Sequence, residues 1–180
     1  RQRQMCIRDS SDTINVLSGA GSVLLGSGTL SVGGNNGSGS FSGVIAESGG
    51  LTKLGSGTVT LSGENTYTGT TTISNGTLTY GGSNILSTGA VTINGGTLNI
   101  DSYTDTVGAV TLESGSITGT GTLTGSSYAV KSGAIGAILG GSSVGLTKST
   151  GGTVTLSGEN TYTGTTTISN GTLTYGGSNI

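Results

Sequence analysis

Residues Gly57 to Ile85 read GTVTLSGENTYTGTTTISNGTLTYGGSNI, and Gly152 to Ile180 repeat them letter for letter. Identity this complete has two sources: a recent duplication in the DNA, or two copies of one read joined in assembly. Upstream the match continues weakly, with Gly50-Leu51-Thr52-Lys53 recurring as Gly145-Leu146-Thr147-Lys148. A shorter period lies inside the unit. Thr72-Ile73-Ser74-Asn75-Gly76-Thr77-Leu78 recurs one period on as Thr92-Ile93-Asn94-Gly95-Gly96-Thr97-Leu98. Val91-Thr92-Ile93 recurs at nearly the same interval as Val110-Thr111-Leu112. The spacing is about 20, a period that belongs to solenoids, where one coil cannot bury its apolar face alone.

Within each unit the apolar residues alternate. Thr58-Val59-Thr60-Leu61 puts Val59 and Leu61 on one side and the threonines on the other, and Thr77-Leu78-Thr79-Tyr80 does the same. Period 2 with Thr, Val, Ile and Tyr is the pattern of a half-buried strand. The punctuation is Ser74-Asn75-Gly76, Asn94-Gly95-Gly96 and Glu113-Ser114-Gly115, residues that accept positive φ cheaply. Two architectures carry this pattern. Asn75-Gly76 between alternating runs is a hairpin signal, so a meander of hairpins fits. A parallel β-helix also fits, the turn then bending the strand onto the next face of one coil. In that case Ile73 lies over Ile93 and Leu78 over Leu98, about 4.8 Å apart. Few aromatics favour the coil, because its narrow interior suits ladders of Val, Ile and Leu.

The whole chain is as biased as the repeat. Of 180 residues, 38 are Gly and a third are Ser or Thr; charged residues are 8%, and His, Pro and Trp are absent. Without His there is no Ser-His-Asp triad, no His-ligated zinc and no imidazole base. An acidic chain with six cations argues against nucleic-acid binding. No long apolar run is present, so no helix here spans a membrane. Arg1 to Ser10, RQRQMCIRDS, is foreign to the rest: it holds all three arginines and the only Met and Cys. It resembles translated adapter read-through, a non-native scar. The alternative, the basic region of a signal peptide, needs an apolar run next, and none follows. From Ser11 onward seven acids face three lysines, net −4, with no Cys. Absence of Cys suits export of an unfolded chain or a cytosolic home alike.

The stretch Gly50-Leu51-Thr52-Lys53-Leu54-Gly55-Ser56-Gly57-Thr58-Val59-Thr60-Leu61-Ser62-Gly63-Glu64-Asn65-Thr66-Tyr67-Thr68-Gly69-Thr70-Thr71-Thr72-Ile73, closed by Ser74-Asn75-Gly76-Thr77-Leu78, resembles the autotransporter-associated β-strand repeat. A second copy spans residues 145–173 and departs from the pattern at Ser149-Thr150-Gly151. The two clear motifs, 50–78 and 145–173, cover about a third of the chain. The resemblance implies the passenger region of a Gram-negative autotransporter (type V secretion). Its fold is then all-β, a right-handed parallel β-helix (β-solenoid) whose coil is one repeat period long. It implies a stalk at the cell surface or released from it, supporting adhesion or self-association through protein or glycan contacts. A C-terminal translocator barrel is then expected elsewhere in the full-length protein, and residues 11–180 are expected to be a piece of a longer passenger. About eight coils and a rod on the order of 40 Å follow from the ~4.8 Å rise.

No residue is assigned to catalysis, to a cofactor or to a metal; three features compete with that reading. From Ser11 onward Asp101 and Asp105 are the only close carboxylates, and a polysaccharide-processing β-helix uses such a pair as acid and base. No cation lies near them in sequence, so a solvated loop between coils is expected instead. Thr58-Val59-Thr60, Thr70-Thr71-Thr72, Thr77-Leu78-Thr79 and Thr122-Leu123-Thr124 resemble the threonine ladder of ice-binding solenoids, although Thr97-Leu98-Asn99 breaks it. Tyr67 and Tyr162, in equivalent N-T-Y-T-G sites, are expected to cover the coil edge with the hydroxyl in water, rather than to stack on sugars.

Overall fold

A computed structural model of the chain describes residues 5–6 and 10–176. The reading of Arg1 to Ser10 as a scar therefore lies almost wholly outside the described residues. Within them are 21 strands and a single turn of 3-10 helix at Gly34–Asn36. Every strand pair is parallel, each strand lying on its equivalent in the next coil.

Three faces make up each coil. On the first, nine strands stack in chain order from Asp12–Ile14 to Thr166–Ile168, with paired residues 18 to 21 positions apart. That is one rung more than the eight coils expected. The second face runs from Gly39–Phe41 through Thr58–Leu61 and Thr77–Tyr80 to Thr172–Tyr175. Val91–Asn99 and Ala109–Thr118 are long enough to serve both faces, bending between them. The third face holds two short sheets. One contains Met5–Cys6, Ser22–Leu24 and Val44–Ala46; the other contains Thr104–Thr106, Thr122–Thr124 and Ile138–Gly140.

The expected stacking holds. Ile93 pairs with Ile73 and Leu98 with Leu78. Thr71–Ile73 and Thr77–Tyr80, the strands flanking Asn75-Gly76, do not pair with each other. The hairpin alternative is thereby excluded: the Asn-Gly pair turns the chain onto the next face. Inward residues form one continuous core along the rod, with Leu30, Leu51, Val59, Ile73, Leu98, Leu112 and Leu123 fully buried. Each such side chain contributes about 1.5–3 kcal/mol on burial, and every added coil repeats the gain.

Candidate functional site

The motif residues that carry polar chemistry point into the rod. In Leu51-Thr52-Lys53 the alternation places Leu51 and Lys53 inward, and both are 0% exposed. Among the described residues Lys53 has no carboxylate partner. Its Nζ donates to the carbonyls of Leu54 and Gly55 and, across the coil interface, to that of Asn75 at 3.3 Å. Burial lowers its pKa from the ordinary lysine value. Lys148 repeats the arrangement, donating to the carbonyls of Thr150 and Asn170. The ammonium needs a glycine beside it. Gly76 has φ +62°, and a Cβ there would lie 2.8 Å from Lys53 Nζ and 2.4 Å from two backbone oxygens. The Lys of G-L-T-K and the Asn-Gly of S-N-G, one coil apart along the chain, are thus two halves of one latch.

Asn65 forms a second latch. Its Oδ1 accepts from Ile45 N–H at 2.8 Å in the preceding coil, and its Nδ2 donates to Ile85 C=O at 2.7 Å in the following one. A third bond, Nδ2 to Gly63 C=O at 2.9 Å, fixes the amide locally. The side chain replaces strand pairing where the third face has no strand. Asn160 does likewise, with Oδ1 accepting from Leu139 N–H at 2.9 Å.

The acidic pair is not brought together as a pair. Asp101 is exposed, in a left-handed turn at φ +52°. Asp105, expected in a solvated loop, is buried at 3% exposure inside Thr104–Thr106. The loop expectation fails there because alternation turns the central residue of this strand inward. Its Oδ2 accepts from Leu86 N–H at 2.9 Å and Oδ1 from Thr106 N–H at 2.8 Å. The first bond is the one Asn65 and Asn160 make to the preceding coil, so Asp105 is a latch of the same kind. Burial raises its pKa, against the lowering effect of these hydrogen bonds. The Tyr80 hydroxyl lies near this carboxyl, buried and without a hydrogen bond of normal geometry.

The tyrosines also depart from expectation. Tyr67 is fully buried, its hydroxyl 2.5 Å from Thr71 Oγ1, and burial raises its pKa. It neither offers a sugar platform nor places its hydroxyl in water. Tyr162 is half-buried, bonded to Thr166 Oγ1 at 2.9 Å, with its ring centroid 5.9 Å from that of Tyr128. A signal for these inward pins is present in the sequence: Lys53 lies two positions from Leu51, and Asn65 two from Tyr67, so period 2 puts each pair on one side. Charge and polarity argue the other way, and the backbone acceptors that reverse the argument come from neighbouring coils.

Most of the threonines line the outside, but Thr71, the middle of the Thr70-Thr71-Thr72 triplet, is buried in an inward column. On the first face, Thr52, Thr72, Thr92 and Thr111 stack in one column, continued after Ala129 by Thr147 and Thr167. On the second, Thr58 and Thr60 stack on Thr77 and Thr79, then on Thr97 and Asn99. Rungs also bond to one another, Thr97 Oγ1 to Ser116 Oγ at 3.0 Å. Surface charge is sparse. With Lys53 and Lys148 inside, Lys131 is the one lysine of the described residues reaching solvent, and it pairs with Glu113 at 2.7 Å. Among the described residues no helix is long and apolar enough to cross a membrane.

The Passenger-associated-transport-repeat family matches three stretches, residues 51–79, 81–100 and 146–174. The first and third coincide with the two motifs just described. The second falls on a coil without the Lys and Tyr pins. No curated protein and no solved structure matches the chain.

Proposed function

From a chain that carries the repeats of autotransporter passengers, we propose a structural, non-enzymatic stalk, displayed on the surface of a Gram-negative bacterium or released from it. The observation that supports this most is where the motif spends its chemistry. Lys53, Asn65 and Tyr67, the residues best equipped to bind something, are buried and bonded within the rod. What remains outside is a nearly uncharged array of hydroxyls, suited to holding shape in water and to broad, weak contact. Adhesion or self-association is the use we assign to it, with a translocator barrel as its export partner. We take residues 11–180 as the repeat segment and Arg1 to Ser10 as non-native.

Two experiments test the reading. Sequencing the gene on both sides of this segment should reveal an export signal and a barrel; an open reading frame with neither refutes the surface address. In the exported protein, excising residues 51–100 should reduce cell aggregation or surface binding while export continues, and unchanged adhesion refutes the supporting role. A glycan-cleaving activity lost in Asp101→Ala would overturn the non-enzymatic reading. The stacked threonine columns favour a second reading, ice binding. Thermal hysteresis of the purified rod supports it, and its absence ends it.

A further inference from the structure

An asparagine followed by glycine is open to attack by its own backbone, because glycine has no Cβ to shield the nitrogen from the side-chain amide. The chain has four such steps, at Asn36, Asn75, Asn94 and Asn170. Asn36, Asn75 and Asn94, all inside the run of stacked coils, are exposed, so water reaches each. Their hydrogen bonds separate them. The Gly76 N–H donates to Asn75 Oδ1 at 2.8 Å, which brings that nitrogen beside the side-chain carbonyl. The other end of the same peptide unit, Asn75 C=O, accepts from Lys53 Nζ at 3.3 Å. Asn170-Gly171 repeats both contacts, 2.8 Å to its own Oδ1 and 3.2 Å from Lys148 Nζ. At Asn36-Gly37 both groups are engaged elsewhere. The Gly37 N–H donates to Gly34 C=O at 3.1 Å, and Asn36 Oδ1 accepts from Ser56 N–H at 2.9 Å. Beneath Asn94-Gly95 there is no lysine: the column that carries Lys53 carries Ile73 one coil later.

A peptide N–H that loses its proton leaves an anion shared by the nitrogen and the carbonyl oxygen. An ammonium bonded to that oxygen stabilises the anion, and a buried one does so with little screening. Lys53, 0% exposed, is placed to act on the Gly76 nitrogen through the peptide bond.

We propose that Asn75-Gly76 is a self-modification site, in which Lys53 promotes attack of the Gly76 nitrogen on the Asn75 side chain and then captures the carboxylate that results. Hydroxide takes the Gly76 amide proton. The nitrogen's electron pair forms a bond to Asn75 Cγ, the Cγ–Nδ2 bond breaks, and Nδ2 leaves as ammonia with a proton from water. A five-membered imide remains. Water adds to its Asn75 main-chain carbonyl carbon, the bond from that carbon to Gly76 N breaks, and the nitrogen takes a proton back. Water enters and ammonia leaves, with nothing oxidised or reduced. The product is isoaspartate at position 75, its backbone running through Cγ. Its free α-carboxylate contains the oxygen that accepted from Lys53. The buried ammonium, held until then by carbonyls, gains a counter-ion, which offsets the cost of burying it. This chemistry belongs to the turn and does not rest on the surface address or on adhesion.

Incubating the full chain at mildly alkaline pH, folded and in parallel in urea, tests it. Cleavage after lysine puts Asn36, Asn170 and the pair Asn75 and Asn94 on three different fragments. Mass spectrometry then follows the exchange of amide for acid at each position and separates isoaspartate from aspartate. In the folded chain Asn75 should convert about tenfold faster than Asn94, the factor one charge-assisted hydrogen bond supplies. In urea, where Lys53 is no longer held beside it, the two rates should agree. Lys53→Met, with its strands checked by circular dichroism, should slow Asn75 to the rate of Asn94 and leave Asn94 unchanged. Should that variant unfold, the comparison of folded and urea-treated wild type still decides. Equal rates at Asn75 and Asn94 in the folded chain overturn the proposal, as does a folded Lys53→Met in which Asn75 converts as before. Aspartate as the main product at position 75 overturns the capture by Lys53.

Discussion

Asn65, Asp105 and Asn160 each accept a backbone N–H of the preceding coil through a side-chain oxygen. An amide suits that place at every pH. It offers an acceptor on one side and a donor on the other, whereas an ionised carboxylate accepts only. The buried Asp105 binds its proton more tightly in the fold than in the unfolded chain, whose value is near 3.8. Its contribution is therefore full below the ordinary carboxylate range and is lost as pH rises through the raised folded value. Asp105→Asn should flatten that part of the stability–pH curve. At neutral pH it should be more stable than wild type by about 1 kcal/mol, the net worth of one hydrogen bond. Asp105→Ala should instead lose about 2 kcal/mol by orphaning Leu86 N–H. Urea titrations from acid to neutral pH check all three chains, and a parallel fall of wild type and Asp105→Asn refutes the latch. The lysines divide in the same way. Lys53→Met leaves three carbonyls without their donor and should cost about 2–4 kcal/mol. Lys131→Met breaks only a surface pair and should cost less than about 1 kcal/mol. Equal effects in urea unfolding would contradict the burial of Lys53.

An element here is a short strand and the turn that follows it. Ser74-Asn75-Gly76 shows what such a turn requires. Gly76 combines a left-handed φ with close backbone oxygens, so Gly76→Ala should destabilise by about 1–3 kcal/mol from the backbone conformation alone. Gly82 has no positive φ, and a Cβ there meets nothing closer than 3.5 Å, so Gly82→Ala should be nearly neutral. Thermal melts of the two variants separate the cases, and a neutral Gly76→Ala would refute the latch geometry. At this scale the strands and their stacking are legible in the sequence, because the repeat period is the circumference of the coil and carries Ile73 onto Ile93. The turn is half legible. Asn-Gly marks a reversal or a corner equally well, and only the pairing partners decide between them. The inward pins are legible in their spacing and not in their chemistry. Lys53 obeys the alternation that places it inside, but its charge argues for water until the carbonyls of Leu54, Gly55 and Asn75 are known to converge on it. Asp105 reads as a loop residue for the same reason, its partner Leu86 lying in another coil.

At the scale of the whole molecule the contacts join each coil to its neighbours, so stability should behave as a sum over coils and interfaces. Length is then adjustable in units of one coil and in no other unit. Deleting Ser74 to Ile93 joins Ile73 to Asn94 and keeps every remaining residue in its column, since Thr77 and Thr97 are paired equivalents. The Gly95 carbonyl then falls where Asn75 offered its own to Lys53. This shortened chain should fold, with a denaturant m value about a ninth smaller, because that fraction of the buried surface is gone. Deleting only Asn84 to Ile93 removes half a coil. It brings outward residues of one face against inward residues of another, and a shift of this kind turns a buried column toward solvent. That chain should lose its cooperative transition, although it retains more of the sequence. If the half-coil deletion unfolds as sharply as the whole-coil deletion, register between coils is not what holds the rod together. The opposite result makes the coil the unit of stability, and with it the unit by which a stalk of this kind can be lengthened without redesign.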